Sequence, residues 1–129
     1  MNRKKEREQA FYLIFEKCFS DDNIENILEI AQECRDFEST EYIKTVFTGV
    51  YNNVDEIDAI ISKYSTGWKI DRISKVSLAI LRLAIFEIKF LDDIPSGVSV
   101  NEAVELAKEF GLSEDASYVN GLLGAYIRD

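Results

Sequence analysis

The chain of 129 residues contains no histidine, one proline, two cysteines and six glycines. Histidine is the commonest general base and metal ligand near neutral pH, so its absence removes both roles at once. It also removes the Glu-x-x-His pairs from which a di-iron helical bundle is built. A single proline and few glycines leave little room for the frequent turns of a β-sandwich. Cys18 and Cys34 have no C-x-x-C spacing and read as reduced, partly buried thiols of a cytosolic protein. No P-loop, no G-x-G-x-x-G after a strand and no G-x-S-x-G elbow occurs. The basic start runs straight into an amphipathic pattern, unlike a signal peptide with its apolar core and cleavage site. Carboxylates are plentiful, but pairs such as Glu102 and Glu105 lie on an amphipathic helix and read as a solvated face. No catalytic residue, metal or cofactor is expected, and binding becomes the default function.

What is present points to one all-helical domain spanning 1–129. Apolar residues make up 47% and charged residues 30% of the chain, a globular rather than a disordered composition. The stretch KVSLAILRLAIFEIKF, Lys75 to Phe90, is apolar in nearly every direction when wound at about 3.6 residues per turn. A helix that is apolar all round is buried all round. It is shorter than the ~20 residues of a membrane span and carries Arg82 and Glu87 inside, so no membrane role is expected. Arg82 is the anomaly, because a buried guanidinium needs a carboxylate partner. Glu102 and Glu87 are the expected ones.

The net charge of −9 argues against nucleic acid until its distribution is considered. Residues 1–19 carry five basic and three acidic groups, and residues 63–91 carry six and two. Residues 20–62 carry two basic and eleven acidic groups, and residues 92–129 carry two and eight. Patches rather than totals steer a polyanion. The two basic segments form such a patch only if the fold brings them together.

Taken in order, the spacing predicts a first helix from Asn2 to about Phe19, with Ala10, Phe11, Ile14, Phe15 and Cys18 in an apolar stripe. Arg3, Lys4 and Arg7 project from the same broad side, where cations oppose the helix dipole and therefore suggest a ligand. Asp21 or Asp22 is the expected cap of a helix to Cys34, followed by a polar connection over Arg35 to Ser39. One long helix from Ser39 or Thr40 to about Tyr64 comes next, with Gly49 suited to a close crossing. Tyr42, Tyr51 and Tyr64 read as packing at the core edge rather than a base-stacking platform. Ser65-Thr66-Gly67 breaks the pattern, and Trp68 to Ile73 reads as a short turn leading into the central helix. After the loop at Pro95, Ser99 and Glu102 match a capping box. That helix runs to Phe110 with Gly111 at its C′ position, and Ser113 opens the last helix. The sum is about six to seven helices and no strand.

The carboxyl-terminal third carries the most specific signal. The run LAILRLAIFEI, then Ile94-Pro95, VSVNEAVELAKEFG and YVNGLL, together with the opening NRKKEREQAFYLIF, resembles the NusB family of transcription antitermination factors. The resemblance covers nearly the whole chain, in order. It implies an all-helical fold of two packed helical subdomains around the central helix. It also implies binding of single-stranded boxA-type RNA in ribosomal RNA leaders, jointly with the small-subunit ribosomal protein NusE, within an antitermination complex on RNA polymerase. Some relatives self-associate, so a homodimer is also open.

By the same resemblance, Arg3, Lys4, Lys5 and Arg7 match the basic run that contacts RNA. Phe15 and Tyr118 occupy aromatic positions near the RNA face, though each also suits a core. Lys75 sits where the family presents polar, RNA-proximal side chains. Arg82, Glu87, Asn101, Glu102 and Asn120 match signature positions and read as mainly structural, with the two asparagines bridging helix ends. The chain departs from the common pattern in VNGLLGAY, where many relatives carry a charge after the leucine. Two rival readings are a helical protein-interaction module without RNA, with the acidic 20–62 segment meeting a basic partner, and a stand-alone domain like those fused to RNA methyltransferases.

Overall fold

The computed structural model describes residues 1–34, 37–65 and 69–129. Among them are seven α-helices, one 3-10 turn and no strand. The α-helices are α1 (Arg3–Lys17), α2 (Ile24–Cys34), α3 (Glu41–Asn52), α4 (Val54–Tyr64), α5 (Lys75–Phe90), α6 (Ser96–Phe110) and α7 (Ser113–Arg128). The 3-10 turn spans Ile70–Arg72. Arg35 and Asp36 of the expected connection, and Thr66, Gly67 and Trp68 of the expected break, lie outside the described residues. No helix among the described residues is long and apolar enough to cross a membrane.

The apolar stretch behaves as its pattern requires. From Ser77 to Glu87 every residue of α5 except Arg82 is buried. Ile80, Leu81 and Ile85 are fully enclosed, each contributing ~1.5–3 kcal/mol by burial. Helices α1 and α3 cover one side of α5, α6 and α7 another, and α4 packs along it. The shared core draws Phe11 and Ile14 from α1, Val46, Phe47 and Val50 from α3, Ile57 and Ile61 from α4, and Leu122 and Leu123 from α7. Helix α2 contributes only Ile27 and Ala31 and packs lightly on α1 and α3. Cys18 is half-buried as expected, whereas Cys34 is exposed.

Several helix ends differ from the expectation, each for a local reason. The long third helix is two helices, because Asn53 leaves helical geometry at φ −124° and ψ 20°. Its backbone N–H makes the last ordinary helical bond to the Gly49 carbonyl at 3.1 Å, while its side-chain amide donates to the same carbonyl at 2.8 Å and competes with continuing the helix. The apolar spacing runs through this break undisturbed, so periodicity could not reveal it. The cap of α2 is Asn23, whose side-chain oxygen accepts from the Asn26 N–H at 2.7 Å, and not Asp21 or Asp22. Helix α6 starts at Ser96, directly after Pro95, so Ser99 lies within the helix and forms no capping box. Gly111 is extended, with φ −116° and ψ −168°, and needs no left-handed conformation. Space is what calls for glycine there, since a Cβ would lie 2.8 Å from the Asp115 carboxylate. Ser113 is the first residue of α7 and not its cap; the Asp115 carboxylate instead accepts from the Leu112 N–H at 2.8 Å.

Gly49 is the close crossing that the sequence suggested. A Cβ at this position would stand 2.3 Å from two ring atoms of the buried Phe86 on α5. Gly49→Ala should therefore destabilise the protein by ~1–3 kcal/mol in chemical denaturation, although alanine is intrinsically the better helix former by about 1 kcal/mol. In a Phe86→Leu background the same substitution should cost less; an equal cost in both backgrounds would remove the clash as its cause.

Candidate nucleic-acid interface

The amino-terminal cations occupy one end of the α1–α5 pair. Asn2 caps α1 by accepting from the Lys5 N–H at 2.9 Å, which orders the turn that carries them. Arg3, Lys4 and Lys5 are exposed. The Arg3 guanidinium lies 4.3 Å from the centre of the Tyr42 ring and 3.3 Å from Glu6. Exposed Lys5 stands 3.9 Å from the largely buried Glu8, a long contact of small energetic weight. Lys4 borders a small recess shared with Glu102, Glu105 and Glu109. Arg3 borders a wider cleft of about 400 Å³ with Thr40, Glu41, Tyr42, Thr45, Leu91 and Asp93.

Arg7 is placed differently. It is 6% exposed, and its guanidinium meets Glu87, itself 1% exposed, through two hydrogen bonds of 2.8 and 3.2 Å. The same carboxylate accepts from the Ser99 hydroxyl at 2.7 Å and from the Tyr42 hydroxyl. Burial acts to lower the Arg7 pKa, but the hydrogen bond and charge of Glu87 outweigh it and raise the value above that of an ordinary arginine. Burial, reinforced by the Glu87 charge, pushes the Tyr42 hydroxyl up and keeps it a neutral donor. The side chain of Arg7 is thus not among those the surface offers to a ligand. Its basic neighbours in sequence hid this, because a run of cations looks alike whether each faces water or a carboxylate.

Arg82 does meet a carboxylate, but neither of the two expected. Its Nε and Nη2 donate to Asp58 on α4 at 3.0 and 2.8 Å. Its Nη1 reaches the Tyr51 hydroxyl at 3.5 Å and the Cys18 sulfur at 3.7 Å. Burial opposes the Arg82 charge, yet Asp58 more than compensates and raises its pKa. Glu87 is occupied by Arg7, and Glu102 is half-buried beside Arg7 in the recess with Leu83 and Leu106. Asn101 and Asn120 are exposed and line a shallow groove between α6 and α7, rather than bridging helix ends.

The Arg3–Lys5 cluster and the cations at the start of α5 do not form one patch; the two basic segments approach each other instead at the Tyr51 ring, which has Lys17 at 5.9 Å and Arg82 at 5.7 Å. Helix α1 runs antiparallel to α5, with Arg7 at Glu87 near one end and Cys18 at Arg82 toward the other. Lys75 opens α5, twelve residues before Glu87, and so lies about 18 Å along the axis from the level of Arg7. Within the second segment Lys63, Arg82 and Lys89 have carboxylate partners in Asp129, Asp58 and Glu56. Lys69 and Arg72 are exposed near the start of α5 with Lys75. Phe15 is half-buried, between Phe11 at 5.7 Å and Phe19 at 5.1 Å. Tyr118 is half-buried and hydrogen-bonded to Ser65, on a cleft of about 380 Å³ that also holds Arg72, Ser74, Ser77, Glu114 and Asp115.

Asp115 was not singled out by the sequence, because its partners Ser74 and Ser77 lie on a distant helix start. Its carboxylate accepts from the hydroxyls of Ser74 at 2.6 Å and Ser77 at 2.7 Å, and Ser74 caps α5 through the Ser77 N–H at 3.1 Å. Burial pushes this carboxyl up, but the three donors on Ser74, Leu112 and Ser77 bring its pKa below the ordinary value. The start of α7 is thereby fastened to the start of α5.

Comparison with known proteins bears on the whole chain. The model of the NusB family matches residues 4–128. A transcription antitermination protein NusB of Natranaerobius thermophilus is 48% identical over 95% of this chain and 92% of its own length. Among solved structures, NusB of T. maritima superposes with a TM-score of 0.88 at 31% identity, covering 100% of this chain and 92% of that one. A structure of antitermination factors NusB and NusE in complex with double-stranded RNA gives 0.85 at 28% identity, covering 98% and 96%.

Two stability measurements test these placements. Arg7→Ala should cost ~3–5 kcal/mol in denaturation, because it strands a buried carboxylate, whereas Lys4→Ala should change stability by no more than ~0.5 kcal/mol. The Asp115 carboxyl titrates lower in the folded protein than in the unfolded chain. Its stabilisation is present above the ordinary value of 3.8 and is lost as pH falls through the folded value. The stability gap between the wild type and Asp115→Asn should therefore narrow as pH is lowered through and below 3.8. A gap independent of pH would detach the carboxylate from its three donors.

Proposed function

The chain belongs to the NusB family, and on that premise we propose that it is a transcription antitermination factor. It binds single-stranded boxA-type RNA of ribosomal RNA leader transcripts together with the ribosomal protein NusE, and so takes part in the antitermination complex on RNA polymerase. The supporting observation is the cluster of Arg3, Lys4 and Lys5, exposed on the capped first turn of α1 in a protein whose net charge is −9. A histidine-free sequence suits a binding role, and the reading places the protein in the cytoplasm.

The mechanism follows from local charge. Each cation that neutralises a phosphate on a single strand contributes ~0.7 to the dependence of log affinity on log salt. Three cations limit the electrostatic contribution of this end to a slope of about 2. The acidic body repels the remaining RNA, so affinity for RNA alone is modest. A protein partner that brings its own RNA contacts raises the joint affinity by linking the two sites. Base choice comes from aromatic stacking and base-edge contacts in the unpaired strand.

The test is fluorescence anisotropy with boxA-like and scrambled RNA, with and without NusE. The boxA-like strand should bind more tightly, and more so with NusE; equal binding unchanged by the partner would favour a protein-interaction module without RNA. Replacing Arg3, Lys4 and Lys5 together by alanine should reduce the salt slope by about 2 and leave the thermal midpoint nearly unchanged. Loss of stability in parallel would return these residues to a structural role.

A further inference from the structure

The geometry points to Glu87 as a positioning residue that presets the RNA-binding start of α1 before RNA arrives, an inference that rests on the RNA reading above. Cations in a first helical turn oppose the helix dipole, so this turn would fray without anchors. Asn2 supplies one of them. Glu87 supplies the other through Arg7, which lies one turn beyond Arg3 and Lys4 and forms a two-pronged bridge at 2.8 and 3.2 Å. A rigid guanidinium fork on a carboxylate fixes orientation as well as distance. The apolar face of α1, made of Ala10, Phe11 and Ile14, supplies adhesion but no such directional lock.

Glu87 also reaches a second cation indirectly. The Tyr42 hydroxyl donates to Glu87, and the Tyr42 ring supports the Arg3 guanidinium at 4.3 Å. Ser99 of α6 holds the other carboxylate oxygen at 2.7 Å. One buried carboxylate thus fixes α1 directly and seats Arg3 through α3. Side chains ordered in advance do not have to be ordered during binding, which is the gain from preorganisation.

The test removes the lock without stranding a polar group, in the variant Arg7→Met, Tyr42→Phe, Glu87→Leu, Ser99→Ala. Apolar replacement of a buried ion pair is often neutral for stability. This variant should stay folded yet bind boxA-like RNA about tenfold more weakly, at a temperature where both proteins are folded. Its salt slope should match the wild type, because Arg7 touches no phosphate; a slope smaller by ~0.7 would make Arg7 a direct contact and overturn the inference. Tyr42→Phe alone, which keeps the ring and the ion pair, should weaken binding a few-fold and serves if the quadruple variant does not fold. Wild-type affinity in the folded quadruple variant, or in Tyr42→Phe where the quadruple variant does not fold, overturns the positioning role alone. A wild type without preference for boxA-like RNA overturns the RNA reading and this inference with it.

Discussion

A carboxylate with 1% exposure in the middle of an apolar core is the constraint on which the rest of this structure depends. A carboxylate buried there needs donors around it, and no single helix supplies enough of them. Its donors come from α1 through Arg7, α3 through Tyr42 and α6 through Ser99. Three helices must therefore meet α5 at one level and in one rotation. Losing any donor leaves part of a buried charge uncompensated, whereas an apolar core at the same place would tolerate sliding. Breaking such a buried pair is costly even where replacing all of its members by well-packed apolar residues is neutral.

Two further polar contacts repeat the device along the same helix. Arg82 draws Asp58 of α4 and the Tyr51 hydroxyl of α3 to its middle, and Ser74 and Ser77 hold Asp115 of α7 at its start. Each polar residue of α5 meets a different set of neighbours, so the three contacts together define the register of the whole bundle. The apolar residues between them provide most of the burial energy, and their close fit adds to a single ordered arrangement.

This arrangement decides how charge is presented. Arg7 and Arg82 look like surface cations in a sequence count, yet both are consumed inside by Glu87 and Asp58. Lys63 and Lys89 have partners at the surface. What α1 shows outward at its start is Arg3, Lys4 and Lys5, while Lys75 belongs to the other end of the α1–α5 pair. The candidate RNA contacts are therefore fewer and more localised than the basic segments suggest.

By itself the sequence determined the all-helical class, the burial of α5, the close approach at Gly49 and the requirement that Arg82 meet a carboxylate. Each follows from local rules: apolar periodicity, the missing side chain of glycine and the cost of an unpaired buried charge. The ordered family motifs added the family itself. Only the tertiary structure decided which carboxylate Arg82 meets, that Arg7 is enclosed while Arg3 is exposed, and that the Arg3–Lys5 cluster stands apart from Lys75. These depend on the direction in which helices cross. The break at Asn53 is what divides α3 from α4, which delivers Asp58, and the antiparallel run of α1 along α5 aligns Arg7 with Glu87. A pattern of spacings records which face of a helix is apolar, but not which other helix that face will meet.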